Sequence, residues 1–122
     1  MEPTKEQIQW FWEQCEFKFQ KSDRNRVGTW VYPNYECEWS LPSIDLNNLF
    51  KYAVPKLRTI HNDLKVLFVF GSVSRCAIFK WDKKYSRKKN FEWLLIGERT
   101  DDDPALALFW AIYKALGGEN GS

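Results

Sequence analysis

Near the N-terminus, apolar residues recur at helical spacing. Ile8, Phe11, Trp12, Cys15 and Phe19 follow one another at i, i+3, i+4, i+7 and i+11, a stripe that strand alternation does not produce. Thr4 with Gln7 three residues later makes a capping box at the start, and the polar stretch Lys21 to Arg26 ends the helix. Trp10 and Phe17 fall off the stripe on a common side and are expected to flank the core, the alternative being part of an exposed aromatic edge. The pattern then changes period. Val27 to Tyr32 is rich in β-formers, Pro33-Asn34 signals a turn, and Tyr35 to Trp39 alternates strictly, which predicts a hairpin. Its second strand should cover Tyr35, Cys37 and Trp39 and leave Glu36 and Glu38 in water.

Helical spacing returns with Leu46, Leu49, Phe50, Ala53, Leu57 and Ile60, after Ser43 or Asp45 as N-cap. Pro55 removes a backbone donor inside this helix and predicts a kink or break near residues 51 to 55. Three strands are then expected, at Leu64 to Phe70, Arg75 to Trp81 and Phe91 to Ile96, with Gly71-Ser72-Val73-Ser74 as the first connection. The last apolar segment, Pro104 to Leu116, has both ends marked. Asp103 is an N-cap acceptor, Pro104 stands where no backbone N–H is needed, and Gly117 can take the left-handed conformation after the helix. Lys114 is its only charge, so it needs covering on more than one side. It should lie between other helices, on a sheet face beneath a neighbouring helix, or in a subunit interface.

The elements run α-β-β-α-β-β-β-α. This order predicts an α+β domain, an α/β/α-type layered sandwich in which three helices pack on one antiparallel sheet of 4–5 strands. Residues 1–118 are expected to form a single domain and 119–122 a flexible C-terminal tail.

Composition adds an excess of rings. Nine Phe, seven Trp and five Tyr in 122 residues exceed what so small a core can hold, so some must lie on the surface or in an interface. The net charge of +2 is unevenly spread. Between Asp82 and Asn90 the chain carries a net +4, which leaves −2 for the rest. Lys83, Lys84, Tyr85, Arg87, Lys88 and Lys89 are therefore the candidate partner or nucleic-acid contacts, cations for phosphates and a tyrosine to stack on a base. A lysine-rich hairpin tip also keeps a sheet edge soluble. The three cysteines, Cys15, Cys37 and Cys76, are odd in number and without a close pair, which argues for a reducing compartment and against a disulfide framework or structural zinc. No signal-peptide pattern and no run of about 18 apolar residues is present, so a cytoplasmic protein, without a membrane partner, is expected.

Catalytic chemistry finds little purchase. His61 is the only histidine and stands where a helix C-terminus favours it. Asp101-Asp102-Asp103 suits the positive end of the last helix better than a metal. Glu36 and Glu38 are placed as solvent-facing residues, and Gly71-Ser72-Val73-Ser74-Arg75 lacks phosphate-loop spacing. No catalytic residue, cofactor or metal ligand is assigned.

Two segments, Pro42-Ser43-Ile44-Asp45-Leu46-Asn47-Asn48-Leu49-Phe50 and Asp103-Pro104-Ala105-Leu106-Ala107-Leu108-Phe109-Trp110-Ala111-Ile112, resemble the helix starts of the phage ABA sandwich domain family. That resemblance implies an α/β/α layered domain from a phage-derived reading frame in a bacterial host, and brings no catalytic residues. The expectation is a small, non-enzymatic phage or prophage accessory protein acting by binding. The alternatives are a nucleic-acid-binding regulator using the basic loop and a homo-oligomer or protein-partner module built on the surplus aromatics.

Overall fold

The structure, a computed structural model, describes residues 1–21, 28–61, 63–82 and 92–118. Chain contacts gather into two compact units, Glu2–Ser43 and Ile44–Ser122, the latter joined by Met1.

In the N-terminal unit, α1 (Lys5–Gln14) opens on the expected capping box. The Gln7 N–H donates to the Thr4 hydroxyl at 3.2 Å, and the Thr4 N–H donates to the Gln7 side-chain oxygen at 2.8 Å. The helix stops earlier than its apolar stripe implies. Glu16 takes a left-handed φ of 73°, and the chain turns back into β1 (Lys18–Lys21). Phe17 is consequently buried, while Phe19, placed on the buried stripe by the helical reading, is exposed. Phe11, Trp12, Phe17 and Tyr32 form a run of ring contacts with centroids 4.7–5.0 Å apart.

β1 pairs antiparallel with β2 (Gly28–Val31), and β2 with β3 (Cys37–Glu38). The hairpin is thus the second half of a three-stranded sheet. Its last strand is wet on both sides, Cys37 and Glu38 both being exposed, and the flanking Tyr35, at φ 68°, and Trp39 are 89% and 74% exposed. The expected covered side does not form, because β3 is only two residues long.

The C-terminal unit begins with a helix in three consecutive segments: α2 (Leu46–Asn48), a π-helical turn (Leu49–Ala53) and α3 (Val54–Ile60). Asp45 is the cap, accepting from the Asn48 N–H at 2.7 Å. The interruption that Pro55 demands takes the form of the wide turn just before it, which relieves the ring's clash with the preceding turn. Widening also changes the helix phase. Leu49, Ala53 and Leu57 are buried at a spacing of four, while Phe50 and Ile60 rotate into solvent.

A meander follows, β4 (Leu64–Phe70), β5 (Ser74–Asp82) and β6 (Glu92–Asp101), paired antiparallel in the order β4-β5-β6. At Ile78/Phe79 the register shifts, leaving Ile96 without a partner as a bulge on β6. The last helix, α4 (Pro104–Ala115), is capped by Asp103, whose carboxylate accepts from the Ala105 N–H at 2.8 Å. Ala105 to Tyr113 are all buried. α4 lies on β5 and β6 and under the helix of residues 46–60, the second of the arrangements its all-round apolarity allows. Gly97 lets it approach closely: a Cβ there would stand 2.1 Å from the Ala111 carbonyl oxygen.

The fold is α+β with three helices among the described residues, but the expected α/β/α sandwich on one sheet of four or five strands is wrong. Two separate three-stranded antiparallel sheets are present. The early end of α1 releases Lys18–Lys21 as a strand the helical reading did not contain, and that strand pairs with β2, giving the N-terminal hairpin a sheet of its own.

Candidate functional site

The residues singled out by charge, Lys83, Lys84, Tyr85, Arg87, Lys88 and Lys89, lie outside the described residues, as does the 119–122 tail. Of those weighed for catalytic chemistry, His61 and Asp103 stand at helix ends. His61 is the C-cap of α3, its N–H donating to the Leu57 carbonyl at 2.8 Å. Its pKa is lowered by partial burial and then by the Lys80 ammonium, so the imidazole is neutral at pH 7. The Cys76 thiol is pushed up to about 12 by burial and stays protonated, a poor nucleophile. Asp103 caps α4. Burial pushes the Asp101 carboxyl up, but the Met1 ammonium, the Asp103 N–H and Arg99 outweigh it and leave the pKa below the usual aspartate value. The Met1 ammonium sits 2.5 Å from that carboxylate. Among the described residues, no group of three or more His, Cys, Asp or Glu is arranged to hold a metal ion.

An exposed apolar surface belongs to the β4-β5-β6 sheet. Gly97 faces α4, and it pairs with Ile78, which pairs with Val66. By alternation, Val66, Phe68, Cys76, Ile78 and Arg99 lie on the helix side, and Lys65, Leu67, Val69, Phe79 and Glu98 on the far side. Ring contacts agree: Phe50 of the π-helical turn meets Phe68 at 6.2 Å, and Arg99 sits 5.7 Å over the Trp110 ring. On the far side, Trp81 and Trp93 touch edge to face at 5.1 Å, and Lys65 reaches over Phe79 and Trp93 at 5.8 and 5.9 Å. Arg75 pairs with Glu98 at 2.6 Å.

The two edges of this sheet differ. β6 carries a bulge, a glycine, and Glu98, Arg99 and Asp101, devices that discourage a further strand. A shallow cavity of about 370 Å³ runs beside its Leu95–Thr100 stretch, with Lys114 on its wall. β4, Leu64-Lys65-Val66-Leu67-Phe68-Val69-Phe70, has no proline, glycine or bulge and one charge. Among the described residues it pairs only with β5, so its outer N–H and C=O row is unpaired by any strand. The apolar side chains along it are also open: Leu67 is 43% exposed, Val69 48% and Phe70 67%, with Phe50 and Ile60 exposed as well. Phe68 and Phe70 stack at 5.5 Å with planes 8° apart, which sets a flat aromatic shelf at the strand's end.

No family model, curated protein or solved structure matches this chain. Sequence reasoning found β4 as a strand but not as an edge. The signal was there, since seven residues with a single charge and no breaker are unusual for an outer strand, but strand order is needed to use it.

Proposed function

We propose that this is a binding protein that works through strand pairing at the β4 edge, and that it is not an enzyme. The observation that carries the reading is the contrast between the two sheet edges. Soluble proteins blunt exposed edges with charge, proline or bulges; β6 carries charge and a bulge, whereas β4, which among the described residues pairs only with β5, combines an open backbone row with exposed Leu67, Val69 and Phe70. A partner supplying an extended apolar segment would satisfy both the hydrogen bonds and the side chains, the mode known as β-augmentation. The two helix starts that resemble those of phage ABA sandwich proteins are the sole support for an accessory role in a phage or prophage setting, and the layered fold which that resemblance implies is not the one this chain adopts.

The test is titration with a fluorescein-labelled peptide of the β4 sequence, Leu64–Phe70, flanked by lysines for solubility. Saturable binding that weakens at least about tenfold in Leu67→Lys is expected, since an ammonium on the edge opposes an incoming apolar strand. Equal binding by wild type and Leu67→Lys, with unchanged circular dichroism, would reject the edge.

A second reading has its own observation, the cluster Lys83, Lys84, Arg87, Lys88 and Lys89 around Tyr85. If these residues hold nucleic acid, affinity for an oligonucleotide falls steeply with salt. Neutralising the five cations without loss of affinity would remove that reading.

A further inference from the structure

Resting on the β4-edge reading, we infer that the strand β4 accepts is the β4 of a second copy of this chain, related by a two-fold axis through Leu67. An isologous contact sets each residue opposite its mirror position in the other copy, and on β4 that places apolar side chains together and no charge opposite a like charge. With Leu67 opposite Leu67 of the other copy, all seven residues pair. Leu64 faces Phe70, Val66 faces Phe68, and Lys65 faces Val69. Centring the axis one residue either way leaves a strand end unpaired. The arrangement also keeps the same sides together. Leu67, Val69 and Lys65 stay on the far side of both sheets, and Val66, Phe68 and Phe70 stay on the helix side, so two three-stranded sheets become one of six strands.

Charge is compatible with the pairing. Lys65 is the only charged residue on the strand, and its ammonium reaches back across its own sheet to Phe79 and Trp93, away from the edge. The two Lys65 positions lie four residues apart along the pair, about 14 Å, beyond the screening length of about 10 Å at 0.1 M salt. Self-pairing therefore brings no like charges together. On the helix side, Phe70 meets Leu64 of the other copy and Phe68 meets its Val66, covering the exposed aromatic shelf. A second β6 could not do the same. Its bulge at Ile96 breaks the even spacing that a two-fold pair of strands needs, and Glu98, Arg99 and Asp101 would crowd that contact.

The experiment uses the full chain with Cys37→Ser to remove the exposed thiol. Its mass is measured by light scattering at tens of micromolar, alongside Leu67→Cys and Val69→Cys in the same background under mild oxidation. Directly opposed residues of an antiparallel pair lie about 4.5–5.5 Å apart at Cα, within disulfide reach. The expected result is twice the 14.6 kDa chain mass, with Leu67→Cys forming linked dimer and Val69→Cys, which faces Lys65, forming about tenfold less. A dimer that links equally at both positions, or at neither, overturns the pairing. A single-chain mass also overturns it. If the β4 peptide still binds in that case, the edge reading stands with a foreign strand as partner; if it does not, both fall.

Discussion

Replacing Gly97 by alanine tests how closely α4 is held to the sheet. A Cβ at Gly97 would stand 2.1 Å from the Ala111 carbonyl oxygen, 3.0 Å from its carbonyl carbon and 3.4 Å from the Ala115 Cβ. The first two are backbone atoms inside a helix and cannot swing aside. Relief requires α4 to move by about 1 Å, yet Ala105 to Tyr113 are buried all round, so that movement compresses the far contact with the helix of residues 46–60. Overpacking of this kind costs about 1–3 kcal/mol, and the absence of a compliant side chain places Gly97→Ala at the upper end, about 3 kcal/mol. For a chain of this length that lowers Tm by about 10–15 °C. Thermal unfolding followed by far-ultraviolet circular dichroism reads the shift. Gly71→Ala is the control, since its Cβ would meet only the Val73 carbonyl oxygen at 3.6 Å, an ordinary contact. A Gly97→Ala protein melting within about 2 °C of wild type, the range of neutral surface changes, would refute the reasoning.

Other consequences are smaller. Asp103→Ala removes the acceptor for the Ala105 N–H and should cost about 1 kcal/mol, with Asp103→Asn recovering most of it; equal stability of all three proteins in urea would show that the cap contributes nothing. In the native protein Cys37 should react with a thiol reagent quickly and Cys76 only on unfolding, because the Cys76 pKa of about 12 leaves almost no thiolate at neutral pH; rapid labelling of Cys76 would contradict its burial. Asp101 has a folded-state pKa below its unfolded value, so its contribution is complete above the unfolded value of about 3.9 and is lost as pH falls through the folded one. Urea unfolding should therefore show wild type more stable than Asp101→Asn at pH 6, with the gap closing as pH falls below 4. A gap that is constant or widens toward acid would reverse the assignment.

The sequence was most legible where a local rule had no competitor. The capping box of Thr4 and Gln7, the Asp103 cap and the proline after it depend on residues within a turn of one another, and the structure places each as expected. The interruption at Pro55 was legible as a position but not as a form. A kink, a break and a wide turn all relieve the same clash, and packing of Leu49, Ala53 and Leu57 selects the wide turn. Lys18–Lys21 was misread because Phe19 satisfies two periods at once, eleven residues into a helical stripe or alternating along a strand. The left-handed turn at Glu16 decides between them, and nothing in a glutamate announces it. The candidate site was half legible: β4 stood out as a strand, but its place on the edge did not.

By itself the sequence determined where the three helices and most strands begin, that the last helix must be covered on several sides, and that more rings are present than a core can hold. These follow from side chains acting on their own neighbourhood or from composition. The tertiary structure alone decided that the described strands form two sheets and not one, that α4 lies on β5 and β6 beneath the middle helix, and that no described strand pairs along the outer side of β4. Strand partnership depends on chain reversals and on backbone hydrogen bonds, which every residue but proline can make alike. Side-chain pattern therefore marks a strand and its faces, while its neighbour is chosen only when the whole chain is packed.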